Sequence, residues 1–450
     1  MNNYNNNFNY KDYLIIFFSF ILVRFIIFFY FEISPIPSIS HFWQYIDEYY
    51  LYKDLFNSLI YLHFQPFGFN LLLGLFLKIA NGKIPAMVNL ILSFNIFLTF
   101  LIIIYSTKIL EQFYIKKRFT YLIIIFFIVL NPTFVFWENY IMYAHLTCYL
   151  YFQIFYFLLK FYKNYSIKYE IYIYLSLLTL TFIHSLYHPL IILLFFIIFQ
   201  FLNKFTRNIK SYLIFFLFFF ISITPLLKNK IIFGIFANSS SLGPNWFITI
   251  HSMDLQRDKC LFEISKEDNV NYFKEFDKDP KYFTHTVLNG SGAIAQLNNP
   301  GMIYKSKLCF KETIKEIKNN FFLWFKTRIY YFLMSHGKFS IDYSYDSVIN
   351  WKKNFSFLEI IQNNIYAKRI RQFVLISLVF SMYLFFIKKI FFTGENLINR
   401  KVFFTIFTLY SYMLFMGHFF NSWEQERFMY SGMVLYLIYI RFLLKYFFKR

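Results

Sequence analysis

Asp47 and Glu48 are adjacent carboxylates placed just beyond the first long apolar run of the chain. A carboxylate there can take the proton of a hydroxyl as its oxygen attacks. Further polar residues recur at the borders of other apolar runs: His63 with Gln65, Glu138, Lys228 with Asn229, and the group Glu424, Glu426 and Arg427. Arg427 can hold phosphate oxygens in a bidentate fork, and Lys228 can add a point charge. A base, two cations and several hydrogen-bonding groups suit the transfer of a group from a phosphate leaving group to a hydroxyl. No nucleotide is called for, since no Gly-rich phosphate loop occurs and the chain holds only 12 glycines.

The elements that must position these residues are membrane helices. Of 450 residues 58% are apolar, arranged in repeated runs long enough to cross a bilayer, which predicts an all-α polytopic membrane protein. Candidate crossings fall at 12–31, 85–107, 118–137, 141–162, 170–187, 189–203, 211–227, 371–390, 402–420 and 429–447. The first carries Arg24 and lacks a small-residue cleavage site, so it reads as an uncleaved signal anchor. The 25% aromatic content belongs to a composition rich in Phe, Ile, Tyr, Lys and Asn throughout, so it is no sign of nucleic-acid binding.

Orientation follows from the short loops, because basic residues stay on the cytoplasmic side. With the N-terminus inside, the inner loops include KILEQFYIKKR, KFYKNYSIKYE and KFTRNIK, which are strongly basic. The short outer loops hold Glu32, Asp47, Glu48, Asp54, Glu138, Glu424 and Glu426. The segment 67–83 is apolar but short, and a full crossing there would invert every later loop. A half-pass or an outer interfacial helix preserves the charge pattern and gives about ten crossings with both ends inside, against eleven otherwise.

Three regions result: an N-terminal membrane module over 1–227 with the loop 32–66 outside, a polar external region over 228–370, and C-terminal membrane helices over 371–450. The external region holds more than half of the chain's 24 acidic residues. Within it NFFLWFKTRIYYFLM, 320–334, is interrupted by Lys326 and Arg328 and suits a helix lying in the interface. Cys260 and Cys309 both fall there, free or bridged, while Cys148 lies in a crossing. His184 and His188 have the i, i+4 spacing of a helical metal pair without a third ligand, so no metal site is assigned.

At these residues the chain resembles the GT-C superfamily of membrane glycosyltransferases, in particular the protein O-mannosyltransferases and lipid A aminoarabinose transferases. The Asp47–Glu48 pair followed by HFQPFGFNLLLGL (63–75) is similar to the family's first external loop. LNPTFVFWENYIMYAHL (130–146), LLKNKIIFGIFANSSSLGPNW (226–246) and EQERFMYSGMVLYL (424–437) resemble three further family stretches in the expected order. The family's double proline is reduced to Pro66, and its usual Arg before Asn229 is Lys228, which keeps the charge but loses the bidentate fork. The resemblance implies Asp47 as the catalytic base, with Glu48 and Glu138 as further acidic residues at the site. His63, Gln65, Lys228, Asn229, Glu426 and Arg427 would then bind substrate. It implies a polyprenyl-phosphate-linked sugar as donor, a lipid, glycan or protein acceptor, surrounding membrane lipids, and a site on the extracytoplasmic side of a bacterial inner membrane. No cofactor is implied, and a divalent metal is left open.

Two other classes compete. A polymerase or ligase of lipid-linked glycans would place its key residues mainly in large late loops, which the early Asp47–Glu48 disfavours. A transporter or flippase of such glycans would be expected to show internal repeats and interrupted helices near the bilayer centre, and no convincing repeat is present.

Overall fold

The computed structural model describes residues 8–31, 46–113, 117–202, 208–240, 242–251, 265–279, 298–336, 365–392, 397–420, 430 and 432–447. Among them the regular structure is helical. The first helices are α1 (Tyr10–Phe31), α2 (Glu48–Lys53), α3 (Leu55–Ile60), α4 (Gly68–Ile79), α5 (Ile84–Gln112), α6 (Lys117–Ile124) and α7 (Pro132–Asn139). There follow α8 (Ala144–Lys163), α9 (Ile167–Ile183), α10 (Leu190–Leu202), α11 (Ile209–Phe233) and α12 (Leu242–His251). The remainder are α13 (Lys266–Phe276), α14 (Pro300–Asn319), α15 (Phe321–His336), α16 (Ile365–Phe391), α17 (Leu397–Phe420) and α18 (Met433–Phe447). Every apolar run expected to cross carries helix. Among the described residues three helices, α1, α5 and α11, are long and apolar enough to span a membrane.

The run expected at 118–137 is broken. α6 passes into a π-helical turn, Ile125–Val129, and α7 restarts at Pro132, the two parts bent by 49°. Asn131 and Pro132 cause the break. Asn131 is extended and its side-chain oxygen accepts from Thr133 N at 2.9 Å, while Pro132, fixed in φ, suits the first helical position. Thr133 N would otherwise bond to the carbonyl of Val129, four residues back. That carbonyl is left for another donor and is taken by Arg24 Nη1 at 2.6 Å.

Side-chain contacts fix which helix ends lie together. Asp12 pairs with Lys117 at 2.5 Å and accepts from Tyr121 at 2.6 Å, while Arg24 reaches Val129, so α1 runs parallel to α6. Gln112 accepts from Lys163 at the end where α5 and α8 finish, and Asn95 meets His145 where α8 begins. Glu170 accepts from Ser211 at the starts of α9 and α11, and Arg441 of α18 donates to Phe113 O at 2.6 Å. One end of the bundle therefore gathers Lys117, Lys163 and Arg441, and the opposite end gathers Glu138, His145 and Tyr430. Since α1 and α6 point the same way with α5 reversed between them, α1 finishes and α5 begins at the same end of the bundle. At 12 residues, about 18 Å, α4 is also too short for a hydrocarbon core of about 30 Å.

α8 is central, with Cys148, Tyr151, Phe152, Phe155 and Leu158 all fully buried. α5, α9, α17 and α18 surround it. In lipid such helices associate by close packing, for which small residues leave room. Gly68 supplies this at the start of α4, where an added Cβ would stand 2.7 Å from the carbonyl oxygen of Phe182 in α9. In the polar region α12 and α13 both pack on α14, and α12 meets it at a glycine, Gly243, whose Cβ would collide with the backbone of Ser306.

Candidate functional site

Asp47 caps α2: its Oδ1 accepts from Tyr49 N at 2.9 Å, and its backbone is extended as helix-capping residues are. Oδ2 makes no hydrogen bond among the described residues. Glu48 occupies the first helical position, where its charge complements the helix dipole, and its Oε2 is buried without a hydrogen-bond partner. The pair is tied to α4 through Ile46 N, which donates to Asn70 Oδ1 at 2.8 Å in the first turn of that helix.

The segment entering the same turn of α4 from the other side is held by three sequence-distant strands of chain. Its backbone is satisfied by side chains, as a buried irregular segment requires. Lys228 Nζ donates to Leu62 O, Ser239 Oγ donates to Phe64 O, and Asn298 Oδ1 accepts from His63 N at 2.9 Å and Phe64 N at 3.2 Å. Asn298 Nδ2 also reaches Tyr61 O at 3.1 Å. His63 Nδ1 stands 2.8 Å from Ser240 Oγ, and the ring meets Phe233 edge-on. Asn229 Nδ2 donates to Ala237 O at 2.7 Å, closing the turn after α11. Three of the sequence-predicted residues, His63, Lys228 and Asn229, thus share one web, and Gln65 follows His63 in the same buried segment.

Polar capacity remains unused within it. His63 Nε2, Gln65 Oε1, Asn229 Oδ1 and both amide atoms of Asn238 are buried and lack a hydrogen-bond partner. Such groups are costly unless satisfied by water or a ligand. Burial, and then the neighbouring Lys228 charge, push the His63 imidazole down from its ordinary 6.5 to about 3, so it is neutral here. Stability from keeping it neutral is complete above pH 6.5 and falls as pH drops from 6.5 toward 3, because only the unfolded state gains the proton there. Protection of 61–67 against hydrogen exchange, taken relative to the intrinsic exchange rate at each pH, is expected to fall over that interval in wild type, and His63→Gln is expected to flatten the dependence.

Glu138 belongs to a second hydrogen-bond network. It is 1% exposed, and both oxygens are occupied: Arg24 Nε donates to Oε2 at 2.5 Å, and Arg24 Nη2 and Thr99 Oγ1 reach Oε1 at 2.8 and 2.7 Å. Asn95 Nδ2 bonds its carbonyl at 3.0 Å. His145 extends the network, with Nε2 2.9 Å from Thr99 Oγ1 and Nδ1 2.7 Å from the Tyr430 hydroxyl. Tyr430 stacks on Trp137. The sequence reading expected Glu138 as a second acidic residue at the site, and the structure pairs it with Arg24.

Among the described residues neither Asp47 nor Glu48 is ion-paired with Lys228. Glu424, Glu426 and Arg427 lie outside the described residues, as does Cys260; Cys309 is disulfide-bonded and Cys148 is free. His184 ends α9 in an extended conformation, so it and His188 do not share a helical face. Each accepts on Nδ1 from the backbone N–H two residues on, at 3.0 and 3.4 Å. No group of three metal-ligating side chains is found among the described residues.

Sequence reasoning missed Asn70, Asn298, Ser239 and Ser240, which hold the web, and the pairing of Arg24. An asparagine within the apolar stretch FGFNLLLGL and the run Asn-Ser-Ser were the available signals. Compared with known proteins, the chain matches no family model, no curated protein and no solved structure.

Proposed function

We propose that the chain is a membrane glycosyltransferase that moves a sugar from a polyprenyl phosphate to an acceptor hydroxyl on the extracytoplasmic side. The supporting observation is the meeting of polar groups around the first turn of α4. The carboxylate pair is anchored there through Asn70, and the His63 web enters it directly, with buried hydrogen-bonding atoms left unmatched. The basic ends of α6, α8 and α18 lie at the other end of the bundle, which favours the cytoplasm for that end. About ten crossings, counting the shorter helices, complete this arrangement.

In the proposed reaction the acceptor oxygen bonds to the anomeric carbon while the bond from that carbon to the phosphate oxygen breaks. Asp47 takes the hydroxyl proton, and polyprenyl phosphate departs with the electron pair, inverting the sugar carbon. Glu48, with its unpartnered Oε2, binds the acceptor. His63, Gln65, Lys228 and Asn229 line the donor side, where Lys228 and Arg427 offset the charge of the departing phosphate, and Glu426 stands beside Arg427. Glu138 acts at one remove, holding Arg24 and, through Thr99 and His145, Tyr430. The test is incorporation of radiolabelled sugar from a panel of polyprenyl-phosphate sugars into membranes containing the protein. Label is expected in an acceptor with at least one donor, and no incorporation across varied donors and acceptors contradicts the proposal.

A further inference from the structure

The geometry points to a docking surface for anionic phospholipid headgroups, formed by a lysine stripe on α14 that runs into the exposed aromatic face of α15. Lys307, Lys311, Lys315 and Lys318 are all exposed, and their spacing of four, four and three residues sets them on one face of α14. The opposite face, with Met302, Cys309 and Thr313, is buried, where α14 packs on α12 and α13, so the stripe is turned outward. Lys307 pairs with Glu275 of α13, while Lys311, Lys315 and Lys318 have no ion pair among the described residues. Like charges four apart on a helix repel one another. Lys311 and Lys315 stand in that relation, exposed Glu312 offsets part of their charge, and an anion over the stripe relieves the remainder.

α15 shows what covers them. After Asn320 the chain turns into Phe321, Phe325 and Ile329, one exposed line along the helix, flanked by Phe322 at 85% exposure. The buried edge of α15, next to that line, is fixed by Trp324, whose indole N–H donates to Thr249 Oγ1 at 3.2 Å, and by Arg328, and the face turned away from it carries Phe322, Leu323, Lys326 and Tyr330, all exposed. An apolar face beside a basic stripe is the composition of an element lying in the membrane interface, rings at the acyl boundary and ammonium groups among phosphates. An acidic protein would match the stripe but not the aromatic face, and free phosphate would match neither the face nor its length. Lysines in a long external region carry little orientation information, so sidedness does not account for them. The surface does not depend on the transfer reaction.

The experiment places the full chain in nanodiscs of phosphatidylcholine with and without phosphatidylglycerol. Hydrogen exchange of 305–330 and the lipids retained in native mass spectrometry are then recorded. Phosphatidylglycerol is expected to slow exchange in that segment and to be retained preferentially. K311Q/K315Q/K318Q is expected to lower the anionic-over-neutral preference by about ten-fold or more, whereas the triple arginine variant keeps it. Equal exchange in the two lipids, an unchanged preference in the glutamine variant, or equal protection by inorganic phosphate in neutral nanodiscs would each overturn the surface.

Discussion

Asp47→Asn is expected to reduce sugar transfer by about 10²–10⁴-fold, the range that a positioned general base contributes. Asn preserves the cap on α2, since its side-chain oxygen can still accept from Tyr49 N, so folding and protein level are expected to be unchanged. The isosteric change removes the negative charge and with it the capacity to take a proton, while keeping the shape of the side chain. Glu48→Gln is expected to raise the acceptor KM with a smaller effect on kcat, because Glu48 is assigned to binding. Equal transfer by wild type and Asp47→Asn would remove Asp47 as the base and move that role to Glu48.

Glu138→Ala is expected to destabilise the protein by about 3–5 kcal/mol, the cost of leaving a buried partner charge uncompensated. Arg24→Ala leaves the carboxylate behind and is expected to cost a similar amount. The double change Arg24→Met with Glu138→Leu removes both charges together and is expected to recover most of that loss. Resistance of the detergent-purified variants to denaturant and heat measures this. The same series separates Glu138 from Asp47: a Glu138→Ala protein of wild-type stability that no longer transferred sugar would show that Glu138 acts in the chemistry.

The helical architecture was legible in the sequence because an apolar run of suitable length has few alternatives in lipid. The break at Pro132 was legible only in part. Asn131–Pro132 is visible as a helix start, but a continuous apolar run on both sides makes the segment 118–137 read as one crossing. Arg24 stood out as a charge inside an apolar run, and its partner did not, since nothing local links it to a carboxylate brought close by the bend of α7. For the site, residue type at a helix border identified His63, Lys228 and Asn229, which the structure brings together, and Gln65, buried in the same segment as His63. It also nominated Glu138, because a carboxylate after an aromatic run looks the same whether it faces water or a buried arginine. Asn70 and Asn298 escaped notice because they act on backbone groups, and asparagine is common throughout this chain.

The most direct measurement follows the donor itself. Purified full-length protein in liposomes is given a polyprenyl-phosphate sugar labelled in both the sugar and the phosphate, together with candidate hydroxyl acceptors. The expected result is sugar label covalently in the acceptor, polyprenyl phosphate released in equal amount, and neither with Asp47→Asn. Donor that crosses the liposome membrane with both labels still joined, without release of polyprenyl phosphate, would contradict transfer and identify a flippase instead.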